Sequence, residues 1–435
     1  MSFVPKKSLG QNFLLDESIS RWIADQIRPD GAPLVIEIGP GQGALTKYLV
    51  GRCAKLLLIE KDNFLADNLR VQFTRRADVE VWHGDATGYD LRPLFSYGGL
   101  KVIGNLPYSM GQPILRRFLA SPTPVNEAVF MLQKEVCDRL AAQCGQEGYG
   151  ALSLLVQQHW NVEVLRIVPP EAFKPRPRVD SAVVRLTPRP AGSLPVFDRK
   201  LFDRLVRMAF SQRRKQLKNV LTPPPGGWEP LIAVLGKSIM LRAEELSLAE
   251  WVQLTRHYEG RHDEDRGQKA GEMFDVVNER NEVTGQAPRG EVHAKKILHR
   301  AVHIFVFNKH GELWLQQRSH LKDVHPQAWD SSAAGHLDAG EDYAIAAVRE
   351  LKEELGIEAE TQCIAKIPAT WETGWEFVEL HHAQHNGPMN FAPDEIACGA
   401  FFKPDQIAAW IASRPQDFAT GFIECFRAWE VLEKS

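Results

Sequence analysis

The 435-residue sequence contains no uninterrupted apolar run near the roughly 18 to 20 residues that a bilayer-spanning helix needs, so no membrane partner is expected. Its start, Met1-Ser2-Phe3-Val4-Pro5-Lys6-Lys7, lacks the apolar core of a secretory leader, and a cytoplasmic location is expected. Cysteine is scarce: Cys53, Cys137, Cys144, Cys363, Cys398 and Cys425 form no Cys-x-x-Cys pair. That excludes a disulfide scaffold and predicts reduced, mostly packing thiols. Neither an internal repeat nor a low-complexity tract is present. With 44% hydrophobic, 25% charged and 9% aromatic residues, the composition is that of a globular protein and excludes disorder, collagen and coiled coil.

The length implies two or three domains. Charge divides the chain: residues 1–260 hold 34 Lys and Arg against 26 Asp and Glu, net +8, and residues 261–435 hold 18 against 29, net −11. A basic half suits a polyanion such as RNA, and an acidic half suits a metal-dependent site or plain solubility. Residues 259–271 are polar, charged and without apolar periodicity, as a linker is. Three prolines in Thr187-Pro-Arg-Pro-Ala-Gly-Ser-Leu-Pro195 mark a weaker break. The boundaries read as 1–189, a Rossmann-like domain; 190–258, a small helical RNA-contacting subdomain; 259–271, the linker; and 272–435, a further α/β domain. Short apolar runs at 34–38, 56–59, 79–82, 102–103 and 128–132 alternate with helix-length stretches, which predicts a parallel α/β sheet. After the linker, 301–307 and 313–316 read as strands and 343–355 as a helix.

Val35-Ile-Glu-Ile-Gly-Pro-Gly-Gln-Gly43 puts glycines directly after a strand, where backbone can approach a ligand as the next helix begins near Ala44. Alone, this pattern also fits a phosphate-binding dinucleotide loop or an ordinary tight turn. Two further strand ends favour a nucleoside cofactor: Leu58-Ile-Glu60 offers a carboxylate to a ribose diol, and Gly84-Asp85-Ala86 one to an adenine amino group. The fourth strand runs into Gly104-Asn105-Leu106-Pro107-Tyr108, which is hard to explain as core. This loop resembles that of S-adenosylmethionine-dependent amino methyltransferases. The resemblance implies that Asn105 and the carbonyl before proline accept hydrogen bonds from a target amino group while Tyr108 stacks on its base.

Four further segments carry a wider resemblance: Lys7-Ser-Leu-Gly-Gln-Asn-Phe-Leu14, Phe130-Met-Leu-Gln-Lys-Glu-Val136, Phe173-Lys-Pro-Arg-Pro-Arg-Val-Asp-Ser-Ala-Val-Val184 and Phe210-Ser-Gln-Arg-Arg-Lys-Gln-Leu-Lys-Asn-Val-Leu221. Together they are similar to the ribosomal RNA adenine dimethyltransferase family, small-subunit (KsgA/RsmA) type, over about residues 5–258. The resemblance implies S-adenosyl-L-methionine as cofactor and 16S rRNA in the small ribosomal subunit as partner. Two adjacent adenines in its 3′-terminal hairpin would be dimethylated at N6. It also implies that Asn12 and Leu14 close over the cofactor, Gly39 and Gly41 border it, Glu60 holds its ribose and Asp85 its adenine. Asn105, Leu106, Pro107, Tyr108 and Phe173 would position the target base, the two rings clamping it by stacking. Arg213, Arg214, Lys215 and Lys218, with Arg116, Arg117, Arg176 and Arg178, suit RNA phosphates, although such charges can also simply solvate a helix face. A related type that modifies large-subunit rRNA is the alternative.

Downstream, Gly335-x5-Glu341-x7-Arg349-Glu350-Leu351-Lys352-Glu353-Glu354-Leu355-Gly356-Ile357 fits every fixed position of the Nudix box. On a helix, Glu350, Glu353 and Glu354 share one face, where their mutual repulsion calls for a cation. Mg²⁺ or Mn²⁺ bridging a diphosphate suits such oxygen ligands. Glu353 is the expected catalytic carboxylate, Arg349 would fix the cluster, Glu341 would support the loop, and Glu395 is the candidate ligand from outside the box. The partner is expected to be a nucleoside-diphosphate-type small molecule. Residues 274–336 resemble the isopentenyl-diphosphate-isomerase-like branch of the Nudix superfamily. Isomerases carry a cysteine before the Gly-His corresponding to Gly335-His336, where this chain has Ala334, so hydrolysis is expected. An isomerase-like enzyme or a nucleotide sensor is the alternative. His293, His299, His303, His381, His382 and His385 are irregularly spaced and read as surface or substrate contacts, not a zinc site. Trp371 and Trp375 read equally as pocket lining or as packing.

Overall fold

The computed structural model describes residues 12–259 and 272–434, apart from 98, 109, 121–122, 191, 323 and 392–394. Residues 7–11 of the first family segment and 260–271 of the expected linker therefore lie outside the described residues. The chain forms two compact units, one up to residue 261 and one from 262.

The first unit runs β1 (Phe13–Leu14), α1 (Glu17–Gln26), β2 (Val35–Ile38), α2 (Thr46–Leu49), β3 (Leu56–Glu60), α3 (Asn63–Gln72), β4 (Val79–His83), β5 (Leu100–Asn105), α4 (Gly111–Leu119), β6 (Val125–Gln133), α5 (Lys134–Ala141), α6 (Ala151–Gln157), β7 (Trp160–Val168), β8 (Phe173–Lys174), β9 (Ser181–Pro188), α7 (Arg199–Ser211), α8 (Trp228–Leu235) and α9 (Leu248–Tyr258). Seven of its strands form one sheet in the order β4-β3-β2-β5-β6-β9-β7. The pairs from β4 through β6 are parallel, and β9 joins antiparallel to β6 and β7. β2 and β3 are buried at every position, as strands covered on both faces must be, and the core divides into two apolar clusters. Strand order reverses between β2 and β5. Ligands of open α/β sheets bind at the carboxyl ends beside that reversal, and the glycine turn and the Asn105 loop both leave the sheet there.

Helix α2 has only four residues, beginning at Thr46 rather than near Ala44. Helices α7 to α9 build a third cluster around Phe202, Leu231 and Trp251, and residues 142–155 join it through Tyr149 and Leu154. The Tyr149 hydroxyl donates to the Leu246 carbonyl at 2.6 Å, so the helical region is sewn to the loop between α5 and α6.

Glu37, in the centre of β2, is 1% exposed and accepts from the Thr46 hydroxyl at 2.7 Å. Burial pushes its carboxyl from an ordinary 4.5 up to about 8. The folded protein therefore keeps a proton that the unfolded chain loses between those two values, and stability falls as pH rises through that window. Glu37→Gln is expected to remove a slope of up to about 1.4 kcal/mol per pH unit, checked by urea unfolding at pH 5 to 8. An unchanged slope would contradict it.

The second unit runs β10 (Met273–Val277), β11 (Val283–Pro288), α10 (Arg289–Lys295), β12 (His299–Phe307), β13 (Leu313–Arg318), β14 (Trp329–Asp330), β15 (Ala333–His336), α11 (Tyr343–Leu355), β16 (Gln362–Ile367), β17 (Glu376–Gln384), β18 (Ile396–Phe402), α12 (Pro404–Ser413) and α13 (Thr420–Glu433). The strands from β12 onward form a mixed sheet in the order β14-β13-β12-β17-β16, with β15 also on β12 and β18 on β13. β10 and β11 pair separately. Helix α11 starts at the Asp342 cap and stops where Gly356 turns left-handed at φ 63°. It buries Ala346, Ala347, Leu351 and Leu355 against the sheet. The helix read from the sequence has these same ends. Among the described residues no helix is long and apolar enough to cross a membrane.

Candidate active sites

In the first unit one pocket is lined by Asn12, Phe13, Leu14, Gly39, Gly41, Glu60, Lys61, Asp85, Asn105, Leu106, Pro107, Tyr108 and Phe173, among others. All the cofactor and target positions expected from the sequence therefore converge on one cavity. Gly39, Gly41 and Gly43 have φ of 66°, 59° and 83°, which glycine adopts without strain. A Cβ on Gly41 would sit 2.9 Å from the Phe13 ring.

Glu60 is 5% exposed. It accepts from the Gly41 amide at 3.0 Å and from the Asp62 amide at 2.8 Å. Burial pushes its carboxyl up, against the pull of these amides. A half-satisfied buried carboxylate beside a glycine turn suits the paired hydroxyls of a ribose. Asp85 accepts from Lys61 Nζ at 2.7 Å and from the Thr87 amide and hydroxyl, and the lysine holds its carboxyl down at about 2. Lys61 is thus a pocket residue that the sequence reading missed. Its position next to Glu60 was the available signal.

Asn105 Nδ2 donates to the backbone carbonyl of Asn12 at 3.0 Å. This orients the amide: its nitrogen is committed, and Oδ1 remains as an acceptor. Asn12 reaches that place because β1 pairs antiparallel with β8, Leu14 lying opposite Phe173. Tyr108 shares a hydrogen bond with Ser181 at 2.9 Å, which aims the ring. Phe173 is 5% exposed and lines the cavity wall.

The basic residues are not equivalent. Arg213 donates to the Tyr149 carbonyl and to Glu244, both at 2.8 Å; Arg117 donates to the Tyr89 carbonyl; Arg176 pairs with Glu171. Arg213 and Arg117 thereby tie distant segments together, whereas the Arg176 pair is an exposed local one. Arg214 and Lys215 are exposed and Lys218 is half-buried. Arg213 to Lys215 lie in the turn after α7 rather than on a helix face.

In the second unit a pocket is lined by His303, Arg318, Lys322, Asp330, Ala334, Gly335, His336, Arg349, Glu350, Glu353, Glu354, Glu376 and Glu395, among others. Arg349 organises it: Nε and Nη2 grip both oxygens of Glu341 at 2.9 and 2.8 Å, Nη1 reaches Glu350 at 2.8 Å, and Nη2 also donates to the His336 carbonyl. Glu350 and Glu354 are buried, and half the Glu353 side chain is exposed. Burial and the neighbouring Glu354 push Glu350 up to about 8, and burial raises Glu354 as well. Glu354 accepts from Gln316 Nε2 at 3.0 Å, and Lys322 bridges Glu354 and Glu395. Glu395 thus lies in the pocket as expected. Lys322 and Gln316 had no local signal, because they reach the helix from another strand and loop.

Glu350, Glu353 and Glu354 crowd together with Arg349 and Lys322 as their ion-pair partners, an oxygen-rich set that fits a divalent ion. Gly335 leaves the space: a Cβ there would lie 1.9 Å from Glu350 Oε1.

The surface half of the histidine expectation needs correcting: His299, His303 and His381 are buried, because they alternate inward on central strands. His293 and His303 line the pocket. His293, His299 and His336 cluster with Phe274, and Glu376 accepts from His336 Nε2 at 3.1 Å. Trp371 is 70% exposed, and neither it nor Trp375 lines the pocket, although Glu372 and Glu376 beside them do. All six cysteines are free. Cys53, Cys137 and Cys425 are buried as packing thiols, but Cys363 is exposed.

Residues 3–233 match the family model for ribosomal RNA adenine dimethylase, and residues 297–420 match that for the Nudix domain. Among curated relatives, ribosomal RNA small subunit methyltransferase A of Leptothrix cholodnii is 42% identical over 59% of this chain and 92% of its own. That of Geobacter metallireducens is 43% identical over 58% and 94%. Among solved structures, the 23S rRNA methyltransferase ErmE aligns with 57% of this chain and 99% of its own, at 24% identity and a TM-score of 0.47. With the first model covering more than half the chain and the relatives covered almost entire, this polypeptide belongs to the ribosomal RNA adenine dimethylase family and carries a Nudix domain fused behind it.

Proposed function

We propose that the first unit dimethylates N6 of two adjacent adenines in the 3′-terminal hairpin of 16S rRNA, within the small ribosomal subunit. The observation that carries this reading is the Asn105 amide, whose Nδ2 is held by the Asn12 carbonyl in a cavity also lined by Glu60, Asp85, Tyr108 and Phe173. S-adenosylmethionine, when bound, supplies an electrophilic methyl group. Gly39, Gly41, Asn12 and Leu14 would border it, Glu60 would take its ribose hydroxyls and Asp85 its adenine amino group. Asn105 Oδ1 and the Leu106 carbonyl, set by Pro107, accept the two amino hydrogens of the target adenine, and Tyr108 and Phe173 hold its ring by stacking. Positioning of this kind supplies most of the rate, since a fixed geometry removes the entropic part of the barrier. The test is transfer of labelled methyl to small subunits lacking the dimethyladenosines, beside matched large subunits. Labelled dimethyladenosine in the small subunit alone is expected. Label in the large subunit would support the other family type and overturn this one.

RNA docking is assigned to Arg214 and Lys215, which are exposed, with the half-buried Lys218 beside them; Arg116 and Arg178 are exposed as well. The triple alanine variant is expected to weaken RNA binding regardless of sequence and to lower the slope of log affinity against log salt by up to about 2 to 3, as the loss of three phosphate contacts requires. Filter binding across a salt series measures it.

For the second unit we propose metal-assisted hydrolysis of a nucleoside-diphosphate-type substrate. A divalent Mg²⁺ or Mn²⁺, when bound, supplies Lewis-acid activation of a phosphate oxygen and of water. Glu350, Glu353 and Glu354 would hold it, Glu353 being the carboxylate with solvent access for a proton. Arg349 fixes their positions. Ala334 favours hydrolysis over isomerisation, because its side chain offers no thiol to exchange a proton, and its amide donates to Glu354 at 3.3 Å.

A further inference from the structure

On the second unit a thiol, an imidazole and a carboxylate meet where β16, the edge strand of the sheet, lies against β17. Cys363 is directly opposite His381 in the antiparallel register, and Glu379 is two residues before His381 on β17, so both project from one face of that strand. Cys363 Sγ, a ring nitrogen of His381 and a Glu379 oxygen all lie within 4.8 Å of one another. His381 Nε2 is 3.5 Å from Glu379 Oε2.

Ordinary packing does not account for His381. It is 2% exposed, and neither ring nitrogen has a hydrogen-bond partner. A neutral imidazole carries one N–H and one lone pair, and leaving such groups buried without partners is unfavourable. Lys366 reaches Glu379 at 2.7 Å, but its side chain is 78% exposed. That pair uses Glu379 Oε1, whereas Oε2 is the oxygen beside His381.

We propose that Cys363, Glu379 and His381 form a binding site for a thiophilic divalent cation, Zn²⁺. One sulfur, one nitrogen and one oxygen ligand match the set that Zn²⁺ takes, with water in the fourth position. Mg²⁺ prefers oxygen alone, so this site and the Glu350-Glu353-Glu354 cluster select different ions. Binding forms the sulfur–metal and nitrogen–metal bonds and releases the Cys363 proton to solvent, so affinity rises with pH.

The test uses the full chain with Co²⁺ as a spectroscopic substitute, in excess Mg²⁺ to fill the carboxylate cluster. One equivalent is expected to produce a thiolate-to-cobalt band in the near ultraviolet and tetrahedral bands in the visible, both displaced by Zn²⁺. Cys363→Ser is exposed and leaves the core intact. It is expected to abolish the near-ultraviolet band and to weaken Zn²⁺ binding at least about tenfold, while Glu353→Gln leaves both unchanged. Absence of the band in the parent protein, or its persistence in Cys363→Ser, overturns the proposal.

Discussion

Asn105→Ala is expected to cut methyl transfer by about two to three orders of magnitude with the fold retained. The residue is half-buried at the end of β5, outside the fully buried stretch of that strand. Its removal has two consequences. It deletes Oδ1, one of the two acceptors assigned to the target amino group, and it releases the Asn12 carbonyl that Nδ2 holds at 3.0 Å. Asn105→Asp separates them. The carboxylate keeps the acceptor but can no longer donate, and it faces the Asn12 carbonyl oxygen with repulsion. It is expected to be nearly as inactive as the alanine variant if the orientation of β1 matters, and close to the parent if the acceptor alone does. Single-turnover transfer to small subunits and a cofactor titration measure rate and affinity separately. An alanine variant within tenfold of the parent rate would remove Asn105 from the mechanism.

Gly335→Ala is the second large effect. The added Cβ would lie 1.9 Å from Glu350 Oε1 and 2.1 Å from its Cδ, well inside any real contact. Glu350 has little room to withdraw, because it is buried and Arg349 holds the same oxygen at 2.8 Å. Either β15 shifts away from β12, where Gly335 opposes Val302, or the carboxylate leaves its place in the cluster. Both disorganise the proposed metal ligands, and hydrolysis of nucleoside diphosphate substrates is expected to fall about a hundredfold, with a raised requirement for Mg²⁺. Methyl transfer by the same variant is expected to be unchanged. Hydrolysis within a few-fold of the parent would show that Glu350 is not a metal ligand.

Both sites were largely legible in the sequence, for a common reason. Each is built where a regular element ends, so turn glycines and helix spacing record it locally. The Nudix-box glutamates needed only the helical period, and Glu60 and Asp85, the carboxylates proposed for the cofactor, needed only the ends of apolar strands. What stayed hidden depends on contacts between distant segments. The Asn12 carbonyl meets Asn105 across 93 positions. Lys322 reaches Glu395 across 73. The buried histidines were misjudged because irregular spacing along the chain says nothing about which strands become neighbours. For the basic run at 213–218, composition could not separate Arg213, bound to its own fold, from Arg214 and Lys215 beside it.

Tyr149 and Leu154 lie before β7 and β9, the last two strands of the sheet, yet they complete the core of the helices that follow it. The helical cap, the proposed RNA-contacting element, is therefore not a cassette that can be exchanged at residue 190. A chimera joined there would pair a foreign set of helices with a socket shaped for Trp251 and Leu246. One that also transfers residues 142–155 would carry the socket with its plug, so exchanging these helices requires three junctions rather than one.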